Sequence, residues 1–368
     1  MDILYIVIGC FSLLGALDLI TGNHLGIGRE FERGLMLLGT MTMTMIGMIV
    51  LAPLFAELLR EPLLAVARVL PFEPSLIAGS LLANDMGGGP LAMELATSER
   101  VGLFNGLVVS SMMGATISFT LPFALGATEK RQHKSVLLGM LCGIVAIPLG
   151  CLVSGLMMQL SLYELAVNLI PLLLFAGLLA FGLLRAPMRC VRIFHIFGIG
   201  VKALVVAGLA LAIFTFLTDF SLLPHMAPLE EGITVVFNAA AVMSGMFPIV
   251  ALLGRLLNRP LRALGAKIGI NATSALGFVA TLATNVTTFG MMKDMDERGC
   301  ILNSAFAVSA AFTFAGHLAY TLAFMPPLGG SCLAAVVVGK LTAGAGALLI
   351  AYFLFCRKTK DAPEEITE

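Results

Sequence analysis

The sequence predicts an all-α polytopic membrane protein with two inverted-topology repeats, about nine full spans and two re-entrant hairpins. Three observations carry this expectation. First, 59% of the 368 residues are hydrophobic and only 12% are charged, with a mean hydropathy of +1.00. A water-soluble domain cannot hide that much apolar surface. Second, apolar runs long enough to span a bilayer recur along the chain. Third, two stretches of the chain echo each other at a fixed spacing.

Composition also narrows the function. Net charge is zero, which gives no electrostatic case for nucleic acid. Trp is absent, so interfacial anchoring falls to Tyr, Lys and Arg. The seven cysteines are scattered without CxxC spacing and read as small apolar packers. The chain opens with Met1 and Asp2, and no Lys or Arg precedes Arg29. A cleaved leader starts basic, so the first apolar run is expected to be a retained span.

In chain order, the spanning runs fall at about 3–20, 34–56, 101–125, 135–160, 163–185, 195–218, 232–256, 300–325 and 332–356. Basic clusters at 129–134, 185–192, 255–267 and 357–360 are assigned to the cytoplasm by the positive-inside rule. The loops at 158–163, 219–231 and 326–331 lack Lys and Arg and are assigned outside. Residues 268–297 must then enter and leave on the cytoplasmic side. Two arms of about 12 residues at about 1.5 Å each reach the midplane of a core about 30 Å thick. The same bookkeeping makes 61–98 an external hairpin, although Arg60, Arg68 and Arg100 strain the rule there. Eleven full spans is the alternative. The expected organisation is a first repeat at 1–160 with hairpin 61–98, a linking span at 161–192, a second repeat at 193–358 with hairpin 260–297, and a cytoplasmic tail at 359–368.

The repeat appears in the residues themselves. Glu32, Gly34, Gly47, Leu58, Leu59 and Pro62 recur as Glu230, Gly232, Gly245, Leu256, Leu257 and Pro260, all 198 residues on. After a two-residue shift, Asp85 falls opposite Asn285 and Glu94 opposite Asp294. Inverted repeats that bind ligand near the midplane are a common transporter plan.

The chemistry is expected at the two hairpin breaks. Residues 79–98 read GSLLANDMGGGPLAMELATS. Three glycines and a proline do not continue a helix, and Asp85, beside Asn84, is an expensive carboxylate to place in an apolar stretch. The second break, TLATNVTTFGMM at 281–292, offers Thr284, Asn285, Thr287 and Thr288. Acceptors, a helix C-terminus and a carboxylate together suit a hydrogen-bonding cation. For Thr287 and Thr288, local capping is an equal reading. His317 reads as a substrate or proton ligand, against a structural hydrogen bond. Lys340, well inside the last span, reads as an internal partner for a hairpin carboxylate, against snorkelling to the interface. Glu94 and Asp294 read first as surface charges that orient the hairpins, with ion pairing or gating as their functional alternative. No Walker A, HExxH, GxSxG or CxxC pattern occurs, so neither ATP drive nor catalysis has support. No cofactor or metal is expected. The residues alone leave open a carrier of an amine, a carboxylate carrier coupled to a cation, a membrane sensor or assembly protein, and a lipid-headgroup enzyme.

LLANDMGG at 81–88, FGMMKDMDERG at 289–299, FAVSAAF at 306–312 and VGKL at 338–341 together resemble the bacterial ethanolamine-utilisation permease family, EutH. The resemblance runs in order from the EFERG segment near residue 30 to the last span. It implies an inner-membrane protein that moves ethanolamine into cells; the basic tail places the C-terminus in the cytoplasm, and import is expected by uniport or ion-coupled alternating access. The implied partners are ethanolamine or a similar small amine and the bilayer, with a homo-oligomer left open. Asp85, Asn285, His317 and Lys340 sit within matching motifs. Against the family pattern, Asn84 stands in place of a Cys, Gly316 in place of an acid, and Thr287 in place of a Pro.

Overall fold

The computed structural model describes residues 3–67, 72–324 and 329–357. Among them there is no strand, and eight helices are long and apolar enough to cross a membrane. The tail at 359–368 and part of the expected loop at 326–331 lie outside the described residues.

The chain begins with α1 (Ile3–Ile20) and α2 (Gly28–Leu63). A short hairpin follows, α3 (Ser75–Leu81) and α4 (Gly88–Leu95). Next come α5 (Glu99–Ala127), α6 (Lys130–Met157) and α7 (Leu162–Arg185). The second half runs through α8 (Pro187–Thr218) and α9 (Leu229–Ile268) to a hairpin of α10 (Ala272–Ala283) and α11 (Asn285–Met291). It ends with α12 (Glu297–Ala310), α13 (Gly316–Phe324) and α14 (Gly329–Ala351). Two boundaries differ from the sequence reading. The hairpins expected over 61–98 and 260–297 have their first helices only at Ser75 and Ala272, and Pro62 and Pro260 lie inside the helices before them, as prolines in apolar surroundings can when neighbours satisfy the freed backbone. The run at 300–325 is not one helix but two, α12 and α13, separated at 311–315.

The helices start where side chains can cap them. Ser161 and Glu164 form a reciprocal capping box at α7. Asn271 caps α10, accepting from Ser274 N at 2.8 Å, and Asp296 caps α12, accepting from Gly299 N at 3.1 Å. Each satisfies an orphan N–H of a first turn. Inside α5 the helix widens into π turns at Phe104–Gly114 and Thr116–Thr120. There Ser110, Thr116 and Ser118 bond back to carbonyls four residues earlier, competing with the regular ladder.

The spacing of 198 residues marks equivalent contacts. Gly47 on α2 lies against the Val205 carbonyl of α8, and Gly245 on α9 lies against the Ile8 carbonyl of α1. Each long helix thus receives the first helix of the other half. Gly79 and Gly277, also 198 apart, lie against Asn105 and Asn303 respectively, themselves 198 apart. Asn105 donates to Ser75 Oγ at 2.8 Å and Asn303 to the Ser274 carbonyl at 2.9 Å, so each hairpin is tied to the helix after it by the same pair of residue types. α6 and α14 cross where Gly150 meets the Gly339 carbonyl.

The two hairpins are rooted at opposite ends of α6. Arg100, just after the first hairpin, donates to the Gln159 carbonyl beyond one end of α6 at 2.9 Å. Arg131, in the first turn at the other end, donates to the Lys293 carbonyl at the base of the second hairpin at 3.2 Å. His133–Met157 is 25 helical residues, about 37 Å at 1.5 Å per residue, enough to cross a core of about 30 Å.

Candidate functional site

The first break is built by backbone geometry. α3 stops at Leu81 because Leu82 is extended, and Ala83 follows in the same region. Asn84–Met86 then make one 3-10 turn, and Gly87, at φ +102°, opens α4. That left-handed conformation favours glycine, and Met48 of α2 packs so close that a Cβ at Gly87 would lie 2.6 Å from its terminal methyl carbon. Asp85 sits in this turn, half-buried, and Asn84 is fully buried.

The second break is a single residue wide. Thr284 is extended, and its hydroxyl accepts from Val286 N at 3.2 Å, starting α11. Both breaks dock on α5. Ala83 N donates to Ser118 Oγ at 3.2 Å, and Asn285 Nδ2 donates to Thr120 Oγ1 at 3.0 Å. Two positions on a helix differ by about 3 Å of rise. The hairpins therefore enter from opposite ends and finish at nearly the same depth.

A third break lies beside them. Phe312 N donates to the Thr281 carbonyl at 3.1 Å and Phe314 N to the Leu282 carbonyl at 3.0 Å. The irregular backbone at 311–315 thus satisfies carbonyls that the end of α10 leaves unpaired. The turn, with Phe312 at φ +60°, brings His317 to the start of α13. There His317 Nδ1 lies 3.1 Å from Lys340 Nζ, which also donates to the Ser111 carbonyl at 2.7 Å. Lys340 has no solvent exposure and does not snorkel. Asp85 lies within electrostatic reach of both Lys340 and Tyr320. No ion pair within 4.0 Å joins Asp85 to Lys340.

The structure thus brings Asp85, Asn84, His317 and Lys340 around the first break and its neighbours, with Asn285 at the second. The other candidates are engaged elsewhere or exposed. Thr284 is a cap. Thr288 is buried but bonded within its own hairpin, to Thr281 Oγ1 at 2.8 Å and the Gly277 carbonyl at 3.2 Å. Thr287 is exposed. Glu94 and Asp294 are exposed at the hairpin bases, where only their backbone carbonyls are engaged, by Arg60 and Asn271. Neither forms an ion pair among the described residues.

Sequence reasoning missed Tyr320, Ser118, Thr120 and the Ser111 carbonyl. The hydroxyl-rich series Ser110, Ser111, Thr116, Ser118 and Thr120 was the available signal on α5. Tyr320, three residues after His317, was hidden in an apolar run. Among the buried side chains, both amide atoms of Asn84, Oδ1 of Asn285 and Oη of Tyr320 have no hydrogen-bond partner in the protein. No cluster of His, Cys, Asp and Glu suited to a metal occurs among the described residues.

An all-helical membrane protein whose broken helices converge on buried polar groups has the architecture of a secondary transporter. The comparisons give the family. Residues 1–354 match the family described as ethanolamine utilisation protein, EutH, and the chain belongs to it. It is 41% identical over 358 residues to a protein of Listeria monocytogenes named "Probable ethanolamine permease EutH", covering 97% of this chain and 95% of the other. It is 37% identical over 367 residues to an Escherichia coli protein of the same name, covering 93% and 89%. It is 34% identical over 353 residues to the "Uncharacterized protein YxeR" of Bacillus subtilis, covering 96% and 94%. No solved structure matches the chain.

Proposed function

We propose that this protein is an ethanolamine permease of the bacterial inner membrane, with Asp85 as the countercharge for the substrate ammonium. One observation carries the site assignment: a carboxylate stands in a helix break, beside buried polar atoms that no protein group satisfies. Family membership supports the substrate. Moving a charged amine across lipid requires its hydration shell to be replaced on the way, and unwound backbone with a carboxylate offers such a replacement.

The two halves act as inverted units, and one element moves against the rest to expose the site alternately. The rooting of the hairpins at opposite ends of α6 supports this reading. The basic ends, including Arg131 and Arg255, face the cytoplasm with the C-terminus. An inside-negative potential favours entry of the cation by about 2.3 kcal/mol per charge per 100 mV, so uniport suffices without a coupling ion. The protein is a carrier and leaves ethanolamine chemically unchanged.

The test is uptake of labelled ethanolamine into proteoliposomes that hold only this protein, under an imposed inside-negative potential. Uptake should follow the potential and fail in Asp85→Asn. Full-rate uptake by Asp85→Asn would remove the countercharge role.

A further inference from the structure

We infer that Asn84 and Tyr320 form the hydroxyl-reading half of the amine site, so that the carrier selects small amino alcohols over alkylamines of the same size. The inference rests on the assignment of Asp85 to the substrate ammonium. It extends that assignment to the other end of the substrate.

Asn84 has no solvent exposure and Tyr320 has 1%. The Asn84 carboxamide has both its nitrogen and its oxygen unpartnered within the protein, and so has the Tyr320 hydroxyl. Buried polar atoms are almost always paired, so three at one turn of backbone call for a ligand or water. They belong to one place. α13 packs on the turn Asn84–Met86. A methyl group on Gly89 would run into the Tyr320 hydroxyl while lying 3.1 Å from the Asn84 backbone oxygen. Tyr320 and Asp85 are also within electrostatic reach of each other.

The chemistry of these atoms defines what fits. A carboxamide with both ends free can give and take a hydrogen bond, and a phenol can do the same. A ligand hydroxyl is the smallest group that both donates and accepts. It would donate to Asn84 Oδ1 and accept from Asn84 Nδ2 or from Tyr320 Oη. Its ammonium, two carbons away, would meet Asp85 in the same turn. Water can serve these atoms in the empty carrier, but an alkyl group that displaces it leaves them unpaired. A carboxylate at this position would face Asp85. The second break is different: Asn285 Nδ2 already gives one hydrogen to Thr120 Oγ1, and only its Oδ1 is without a partner.

The experiment is competition against labelled ethanolamine by propylamine, which has a methyl in place of the hydroxyl, and by 2-methoxyethylamine, which can accept but not donate. The full-length protein in proteoliposomes is used as wild type, Asn84→Ala and Tyr320→Phe. Wild type should prefer ethanolamine to propylamine by roughly 10-fold or more, the worth of one or two neutral hydrogen bonds, with 2-methoxyethylamine between them. In either variant the ratio should fall toward unity because ethanolamine weakens while propylamine does not. Equal competition by propylamine in the wild type overturns the inference, and so does an unchanged ratio in both variants. If a variant binds neither amine, the wild-type ratio alone decides. A folded wild type that takes up no ethanolamine overturns the Asp85 assignment itself, a result distinct from ethanolamine uptake without hydroxyl selectivity.

Discussion

Lys340 Nζ lies 3.1 Å from His317 Nδ1 and, among the described residues, its only other hydrogen-bond partner is the Ser111 carbonyl at 2.7 Å. When Lys340 is charged it donates to both, so the ring proton of His317 sits on Nε2. A buried ammonium within reach of Asp85 occupies the electrostatic role that a substrate ammonium would take. Lys340→Met should therefore tighten ethanolamine binding, by about 10-fold for about 1.4 kcal/mol of lost competition. It should also lower the melting temperature of the empty protein, because Asp85 then loses the Lys340 charge that faces it. Binding isotherms and melting curves with and without ethanolamine check both effects. Weaker binding by a variant of normal stability would mean that Lys340 helps to hold the substrate.

Gly47 and Gly245 should be equally intolerant of a side chain. A methyl at either runs into a backbone carbonyl, of Val205 and of Ile8 respectively, and backbone in a packed helix pair cannot step aside cheaply. Gly47→Ala and Gly245→Ala should each destabilise by roughly 1–3 kcal/mol. Gly9→Ala and Gly39→Ala, with nothing within 4 Å of the added atom, are the controls and should melt as wild type does. A thermal-stability series in one detergent decides, and neutral behaviour at both packed glycines would contradict the exchanged packing of α1 and α8.

Those same glycines explain what was readable from the sequence. A contact with backbone leaves room for nothing larger, so Gly47 and Gly245 preserve the repeat in a plain alignment of the two halves. The first break was readable because Gly87 needs a positive φ and Asp85 is costly in apolar surroundings. The break at 311–315 was not, because it contains no Pro and is held by non-local bonds from Phe312 and Phe314 to α10. The hairpins were expected over 61–98 and 260–297, yet helices continue through Pro62 and Pro260. Glu94 and Asp294 align in the repeat, but their alignment marks equivalent hairpin bases and not a shared polar centre.

Each hairpin is closed at its base by one carboxylate. Glu73, 5% exposed, accepts from Ser75 Oγ at 3.2 Å, Thr97 N at 3.0 Å and Thr97 Oγ1 at 2.7 Å. Asp296 accepts from Asn271 N at 2.9 Å and Ser274 Oγ at 2.6 Å, besides capping α12. Removing either carboxylate strands several donors, each worth about 1–3 kcal/mol when buried. Glu73→Ala should raise amide hydrogen exchange across 75–95 and Asp296→Ala across 272–291, each leaving the other hairpin protected. Equal exchange gains in both hairpins from either variant would mean that the two bases open as one unit.

The opposite rooting of the hairpins makes a prediction about sidedness. Gln159 and Arg131 are exposed, the first just past one end of α6 and the second in its opposite terminal turn, and they contact the regions of the first and second hairpin base respectively. With the exposed Cys10 replaced by Ser, a cysteine at Gln159 should react with a membrane-impermeant maleimide added to intact cells. A cysteine at Arg131 should react only after the cytoplasmic face is opened. The direction expected follows from the proposed cytoplasmic placement of Arg131, Arg255 and Lys293 under the positive-inside rule. Arg255 donates to the Leu25 carbonyl, so the loop after α1 belongs to the same end. A cysteine at Leu25 should therefore label with Arg131 and not with Gln159. Labelling of all three from one face would be incompatible with α6 as a full crossing and with hairpins entering from opposite sides.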